Sequence, residues 1–353
     1  MDLSPLVEAI GPRTMDCDRA QIARAVAEVE RAHVEHADAA RDLEALVPCG
    51  CLTAALGSWL AADRAPIAPI GDAEGPRLDP GLPPVCDAHV HVFPDRMFAA
   101  LWSWFERYGW PVRYPLRAPE VVSFLFARGV SRAVLLHYAH KPGLARSMNA
   151  FVAELARTDE RLVGLATVLP GEPDARGILA EAKAMGLRGV KLHCHVQAFA
   201  ADEDAAAEVF EAAQALELPV VVHAGREPRS PAYPVDTHAI CAAERTERVL
   251  SRYPRLRLCV PHFGGDEFEA YERLLERFDN LYLDTTMILG ALFGVGVPER
   301  LLTMRPDRIL YGTDFPNLPY AWDREIKTLS SYGLDDAVLA QILSGTAAEL
   351  FAK

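Results

Sequence analysis

The stretch CDAHVHVFP, Cys86 to Pro94, sets His89 and His91 on either side of a single valine. Side chains alternate along a strand, so the two imidazoles share a face, with Asp87 beside them. Two imidazoles this close repel if protonated and leave unmet hydrogen bonds if buried alone. A metal ion resolves both problems, and neutral imidazole is a good zinc ligand. Taken alone, the pair is equally consistent with a surface strand. The rest of the chain has to discriminate.

The chain holds 11 histidines, and all but His33, His36 and His238 fall at or just past the end of a predicted strand. RAVLLHYAH gives His137 and His140, GVKLHCH gives Lys191, His193 and His195 on one face, PVVVH gives His223, and RLCVPH gives His262. RILYGTD adds Asp314. Chance would scatter these groups over helices as well. Imidazoles placed mid-barrel would leave polar atoms unsatisfied, so convergence at one open end is the natural account. Several neutral imidazoles and a carboxylate make a nitrogen and oxygen site suited to zinc, with manganese or iron as alternatives.

The elements that must position these groups come from the pattern after Val85. Short apolar runs (VCDAHVHV, RAVLLHY, LVGLATVL, RGVKLH, PVVVHA, RLCVPH, NLYLDTT, RILYGTD) alternate with helical patterns such as PEVVSFLFARG and EDAAAEVFEAAQALE. Near-continuous apolar strands joined by helices imply a parallel sheet covered by helices. Eight such units imply an α/β fold, a closed (β/α)8 TIM barrel, whose active sites lie at the C-terminal ends of the strands. An open doubly wound sheet is the competing architecture. No GxGxxG follows the first strand, which argues against dinucleotide binding.

Residues 1–84 read differently, as an N-terminal helical extension and linker preceding a barrel over 85–353. Asp16 or Asp18 can cap a helix running to about Leu46, with Ile22, Val26, Val29, Leu43 and Leu46 at helical spacing. A shorter helix covers roughly Leu52 to Ala62, followed by DRAPIAPIGDAEGPRLDPGLPP, whose proline and glycine content suits a linker or wrapping arm. No residue between Ala45 and Ala62 is charged, but Pro48, Gly50 and Gly57 interrupt it, which favours a loop and short buried helix over a membrane span. Cys49 and Cys51 have no second pair at matching spacing, so a structural role is expected. The net charge of −13 argues against nucleic-acid or anionic-membrane partners. Seven scattered cysteines and the absence of a signal-peptide pattern favour a reduced, cytoplasmic protein. A homodimer formed through the N-terminal region is one expected assembly.

Taken together, DAHVH, GVKLH, VVHAG, VPHFGG and YGTDFP, in this order, resemble the amidohydrolase superfamily, in particular the branch containing aminocarboxymuconate-semialdehyde decarboxylase. The resemblance runs from about Val85 to the C-terminus and does not include the first 84 residues. It implies that His89, His91, His223 and Asp314 bind one metal ion, and that His262 acts as general acid or base together with Asp314. It also implies chemistry on a small molecule by a metal-activated water, since a bound metal brings the pKa of water towards neutrality. Some members of the superfamily carry a carboxylated lysine at the position of Lys191. A buried charge partner is the expected role here. Asp87 is expected to orient a ligand or close the barrel floor, and His193 to touch substrate or support a ligand.

Substrate contacts are expected from loops. After the first strand comes DRMFAALWSWFERYGWPVRYP, whose Trp102, Trp104 and Trp110 either pack on the N-terminal helices or form an aromatic lid. The fifth-strand loop offers Arg226 and Arg229, with Arg226 the expected anion contact, and the eighth offers Asn317 and Tyr320. The expected activity is metal-dependent hydrolysis of an amide, ester or lactone of a small, carboxylated substrate. The alternative is non-oxidative decarboxylation of an aromatic or unsaturated acid, which would use the same residues. A non-catalytic binding scaffold is the minor alternative, disfavoured because every expected ligand is present.

Overall fold

A computed structural model describes residues 70–226, 232–233, 235–290 and 296–352. The helices expected over 16–46 and 52–62, the uncharged 45–62 segment, the Cys49/Cys51 pair and Arg229 lie outside the described residues. Among the described residues eight strands alternate with helices: β1 (Cys86–His91), β2 (Arg132–Leu136), β3 (Leu162–Gly164), β4 (Val190–His193), β5 (Val220–His223), β6 (Leu258–Val260), β7 (Leu281–Asp284) and β8 (Ile309–Leu310). All neighbouring pairs are parallel, in the orders β1-β2-β3 and β4-β5-β6-β7-β8. Single bridges join the two sheets, Ala166 to Val190 on one side and Val90 to Phe315 on the other. The Asp314 N–H donates to the His89 carbonyl at 2.9 Å and the His91 N–H to that of Phe315 at 2.8 Å. The barrel is therefore closed where β8 meets β1.

A single network of apolar side chains explains the closure. Val134, Leu136, Val163, Leu165, Val221, Cys259 and Leu310 form one buried cluster with Ala347, Leu350 and Phe351 of the C-terminal helix. The carbonyls of Phe351 and Leu350 accept from Arg188 and Arg257, which lead into β4 and β6. The chain's end thus seals the strand-start end of the barrel, and the polar groups are left to the opposite end. A larger cluster, with Val90, Leu135, Val190, Leu192, Val222 and Val260, packs the strands against the surrounding helices.

Three local differences from the sequence expectations stand out. The segment after β1 is not simply a loop: Asp95–Tyr108 is a helix that buries Phe98. Its Met97, Leu101 and Trp102 also pack on the core, a helical spacing that marks the buried face. Strand β4 stops at His193, and Cys194–Gln197 is a helical turn. His195 is therefore brought in by the turn, not by strand alternation. The long pattern over 236–253 is split into helices Thr237–Ile240 and Ala243–Arg252. Among the described residues no helix is long and apolar enough to cross a membrane.

Candidate metal centre

β1 carries the first two groups inward. The Nδ1 of His89 lies 2.8 Å from Oδ2 of Asp284, at the end of β7. A carboxylate only accepts, so His89 carries its proton on Nδ1 and presents a lone pair at Nε2. That Nε2 lies 3.3 Å from Oδ1 of Asp314, and the Nε2 of His91 lies 3.0 Å from the same oxygen. Ligand atoms of His89, His91 and Asp314 all fall within 4.8 Å of one another, which fits three ligands of one divalent ion.

The electrostatics suit that use. His89 is fully buried, and burial, reinforced by the neighbouring Lys191, lowers its pKa to about 4. It is therefore neutral at pH 7, as a metal ligand must be. Burial alone would raise the pKa of Asp314. His91, through charge and hydrogen bonding, and then His89 and His262 override it and hold the carboxyl below the usual carboxylate range. Asp284 is governed in the same way by burial opposed by His89, and is likewise held ionised. The Nζ of Lys191 sits 3.2 Å from Nε2 of His89. A cation thus already faces the lone pair on which the proposed metal would act.

Two backbone features bring these groups in. Asp314 has φ 73°, in the left-handed region that non-glycine residues seldom occupy, and His262 and Phe263 have φ 57° and 50°. Asp314 and His262 both lie just past a strand, where a sharp reversal takes the chain out of strand geometry. The glycines of HFGG and HAG allow the β5 and β6 loops to touch. A Cβ on Gly265 would lie 1.8 Å from the Arg226 carbonyl oxygen, and one on Gly225 would lie 2.8 Å from the Gly264 carbonyl carbon. Only glycine allows that approach.

The result is a second set of imidazoles. His262 Nδ1 lies 2.7 Å from the Thr286 carbonyl oxygen, which only accepts, so Nδ1 carries the proton and Nε2 the lone pair. That Nε2 lies 3.2 Å from Nδ1 of His223. In the neutral relay His223 donates from Nδ1 and keeps its own lone pair on Nε2, as a ligand would. His223 is paired in register with His193 on β4, and their rings stack at 4.1 Å. His193, His195 and His223 form a second trio with ligand atoms within 4.8 Å. Three of the four expected ligands therefore converge directly, and the fourth, His223, stands on the facing wall beside His262.

The remaining expected residues are placed as follows. Asp87 accepts from the His89 and Thr313 N–H groups at 3.1 Å each and from the Thr313 hydroxyl at 2.5 Å, tying β1 to β8. Arg226 is engaged by Glu267 at 3.1 Å. Asn317 is buried on the β8 loop, its carbonyl accepting from the Trp110 indole at 2.7 Å. His137 is fully buried, whereas His140 is exposed. Trp102 stacks on Phe98 at 5.4 Å, and Trp104 meets Tyr233 at 5.5 Å. The sequence pattern assigns no role to Asp284. Its signal is an aspartate closing a predicted strand, the position that His91, His193 and His223 also take.

Comparison with known proteins follows the same lines. The amidohydrolase family profile matches residues 86–353. Among curated protein sequences none matches this chain. Among solved structures, the chain is similar to 5-carboxyvanillate decarboxylase from Novosphingobium aromaticivorans, complexed with manganese and 4-hydroxy-3-methoxy-5-nitrobenzoic acid (16% identity, TM-score 0.57, covering 80% of this chain and 100% of that one). It is similar to 2,6-dihydroxybenzoate decarboxylase complexed with 2,6-dihydroxybenzoate (16%, TM-score 0.57, 77% and 100%). It is also similar to a probable 2-pyrone-4,6-dicarboxylic acid hydrolase from Acinetobacter baumannii (17%, TM-score 0.50, 76% and 99%). These likenesses are of fold, a TIM barrel. With the profile spanning the whole barrel, the chain belongs to the amidohydrolase family of metal-dependent enzymes.

Proposed function

We propose that this enzyme is a metal-dependent non-oxidative decarboxylase of a planar aromatic or unsaturated carboxylic acid. The observation that carries this reading is the ring-lined wall beside the ligand trio. Tyr138 lies 5.7 Å from His91 and 4.9 Å from His193; His195 lies 5.3 Å from Tyr233, which in turn meets Trp104. Flat side chains favour a flat ligand through offset or edge contacts. Two of the similar proteins are described as decarboxylases of hydroxylated benzoates, and one of these as complexed with manganese. Both features move the preference from hydrolysis to decarboxylation.

His89, His91 and Asp314 would hold the ion, with His223 as the fourth ligand. When bound, a divalent ion supplies Lewis acidity towards the acidic oxygens of the substrate. Zinc suits this donor set, and manganese suits it as well. Lys191 adds a second positive charge for the substrate carboxylate. Because Glu267 already occupies Arg226, that anion-binding role passes to Lys191. His193 and Asn317 flank the ring. His262 is the acid. Protonated at Nε2, it gives a proton to the ring carbon that bears the carboxylate. The C–C bond then breaks, its electrons return to the ring, carbon dioxide leaves, and His262 is reprotonated from solvent.

Hydrolysis of a ring lactone is the second reading, favoured by the likeness to the probable 2-pyrone-4,6-dicarboxylic acid hydrolase. Here Asp314 would take a proton from water and His262 would protonate the leaving oxygen. Incubation of zinc- or manganese-loaded enzyme with a panel of hydroxybenzoates and ring lactones separates the two. Carbon dioxide release with uptake of one solvent deuterium at the vacated carbon is expected. Lactone opening without carbon dioxide would overturn the primary reading.

A further inference from the structure

The family match begins at residue 86, yet residues 70–75 just before it are bound to the site's own β8 loop. We infer that Asp72 and Glu74 are positioning residues for Asp314: an arm outside the family core clamps the loop that holds this carboxylate. The inference rests on the assignment of Asp314 as a metal ligand.

Asp314 occupies a left-handed backbone conformation, φ 73°, which persists only where its surroundings over-determine it. The loop that follows has few bonds of its own: the Asn317 N–H returns to the Asp314 carbonyl at 3.0 Å. At its start β1 also holds it, the His91 N–H donating to the Phe315 carbonyl at 2.8 Å and the Asp314 N–H to the His89 carbonyl at 2.9 Å; further on, it is held between two other segments. On one side is 110–114. The Trp110 indole donates to the Asn317 carbonyl at 2.7 Å, and the Arg113 N–H donates to Leu318 at 2.8 Å. On the other side is the arm. The Ile70 N–H donates to Pro319 at 3.2 Å, the Asp72 carboxylate accepts from the Ala321 N–H at 2.9 Å, and the Gly75 N–H donates to Asp323 at 2.7 Å. The Trp322 indole donates to the Gly75 carbonyl at 3.1 Å.

The two arm carboxylates join these sides. Asp72 also accepts from Arg113 at 2.9 Å and lies 3.4 Å from Arg324. Glu74 accepts from the Tyr114 hydroxyl and lies 3.4 Å from Arg113. That same Tyr114 oxygen accepts the Trp322 N–H at 2.9 Å. Removing both carboxylates therefore loosens the 110–114 segment and the β8 loop together.

The test uses the full-length chain with Asp72→Ala and Glu74→Ala, alone and together. Arg146→Ala is the control; it breaks an exposed ion-pair cluster with Asp174 and Glu181, the N-cap and a residue of the helix Ala175–Ala184. Two readouts are taken well below the melting temperature: the zinc dissociation constant, by chelator competition, and hydrogen exchange of peptides covering 314–322. The double variant is expected to bind zinc about five- to tenfold more weakly and to exchange faster at 314–322. The control should change neither, and Asp72→Glu should recover part of the loss. Unchanged exchange at 314–322 in the double variant would overturn the inference. So would zinc affinity within twofold of wild type alongside faster exchange. Wild-type protein that binds no zinc would instead overturn the assignment of Asp314.

Discussion

Asp284→Asn tests the electrostatics of the site with little change in shape. Oδ1 of Asp284 accepts the His262 and Thr286 N–H groups, each at 3.1 Å, and Oδ2 accepts from His89 Nδ1 at 2.8 Å. An asparagine keeps the first two bonds through its carbonyl oxygen. Its amide nitrogen then faces the His89 N–H, donor against donor. The strain is relieved if His89 moves its proton to Nε2 and accepts the amide at Nδ1. The lone pair intended for the metal is then consumed. Partners of this kind are worth about 10- to 100-fold in metal affinity, or about 1.4–2.7 kcal/mol. Competition with a chromophoric chelator at pH 7, with circular dichroism to confirm folding, measures it directly. Asp284→Ala is the harsher variant, because it leaves three buried donors without an acceptor, at about 1–3 kcal/mol each. A folded Asp284→Asn protein binding zinc within twofold of wild type would refute the tautomer argument.

Other outcomes follow from the same geometry. His262→Asn should lower turnover by at least about 100-fold, as expected for loss of a general acid, while metal content measured by mass spectrometry stays at the wild-type level. Metal-free protein should lose stability as pH falls from 6.5 towards 4. Burial lowers the pKa of His89 to about 4 and of His137 to about 3, so the unfolded chain takes up protons that the folded chain refuses. His137→Phe should flatten that acid limb by on the order of 3 kcal/mol in denaturant titrations. Asp87 acts in the opposite sense: burial raises its pKa to about 7, so its contribution is lost as pH rises from 3.8 to 7, and Asp87→Asn should remove that decline.

Much of this was legible in the sequence because it rests on short-range rules. Strand alternation placed His89 and His91 on one face, and apolar runs located all eight strands. The rule that barrel chemistry lies at strand ends picked out His223, His262 and Asp314. What was not legible depends on turns and tertiary partners. The helical turn Cys194–Gln197 ended β4 earlier than alternation implied, because the side chain of Gln197 caps the His193 N–H and bonds the carbonyls of Ala139 and Val168. The commitment of Arg226 to Glu267 depends on an ion pair spanning two loops. The helix over 95–108 was not legible because its tryptophans suited either packing on the N-terminal helices or a lid; Trp102 packs on the core, and Trp104 meets Tyr233. Asp284 could have been found by asking which group holds each proposed ligand imidazole.

In the proposed centre one cation is gripped by β1 and β8 together. Anomalous diffraction at the zinc edge from crystals of metal-loaded protein locates the ion without assumptions. One strong peak is expected about 2.0–2.2 Å from His89 Nε2, His91 Nε2 and an oxygen of Asp314. A sole peak between His193, His195 and His223, with Asp314 outside its coordination sphere, would contradict it.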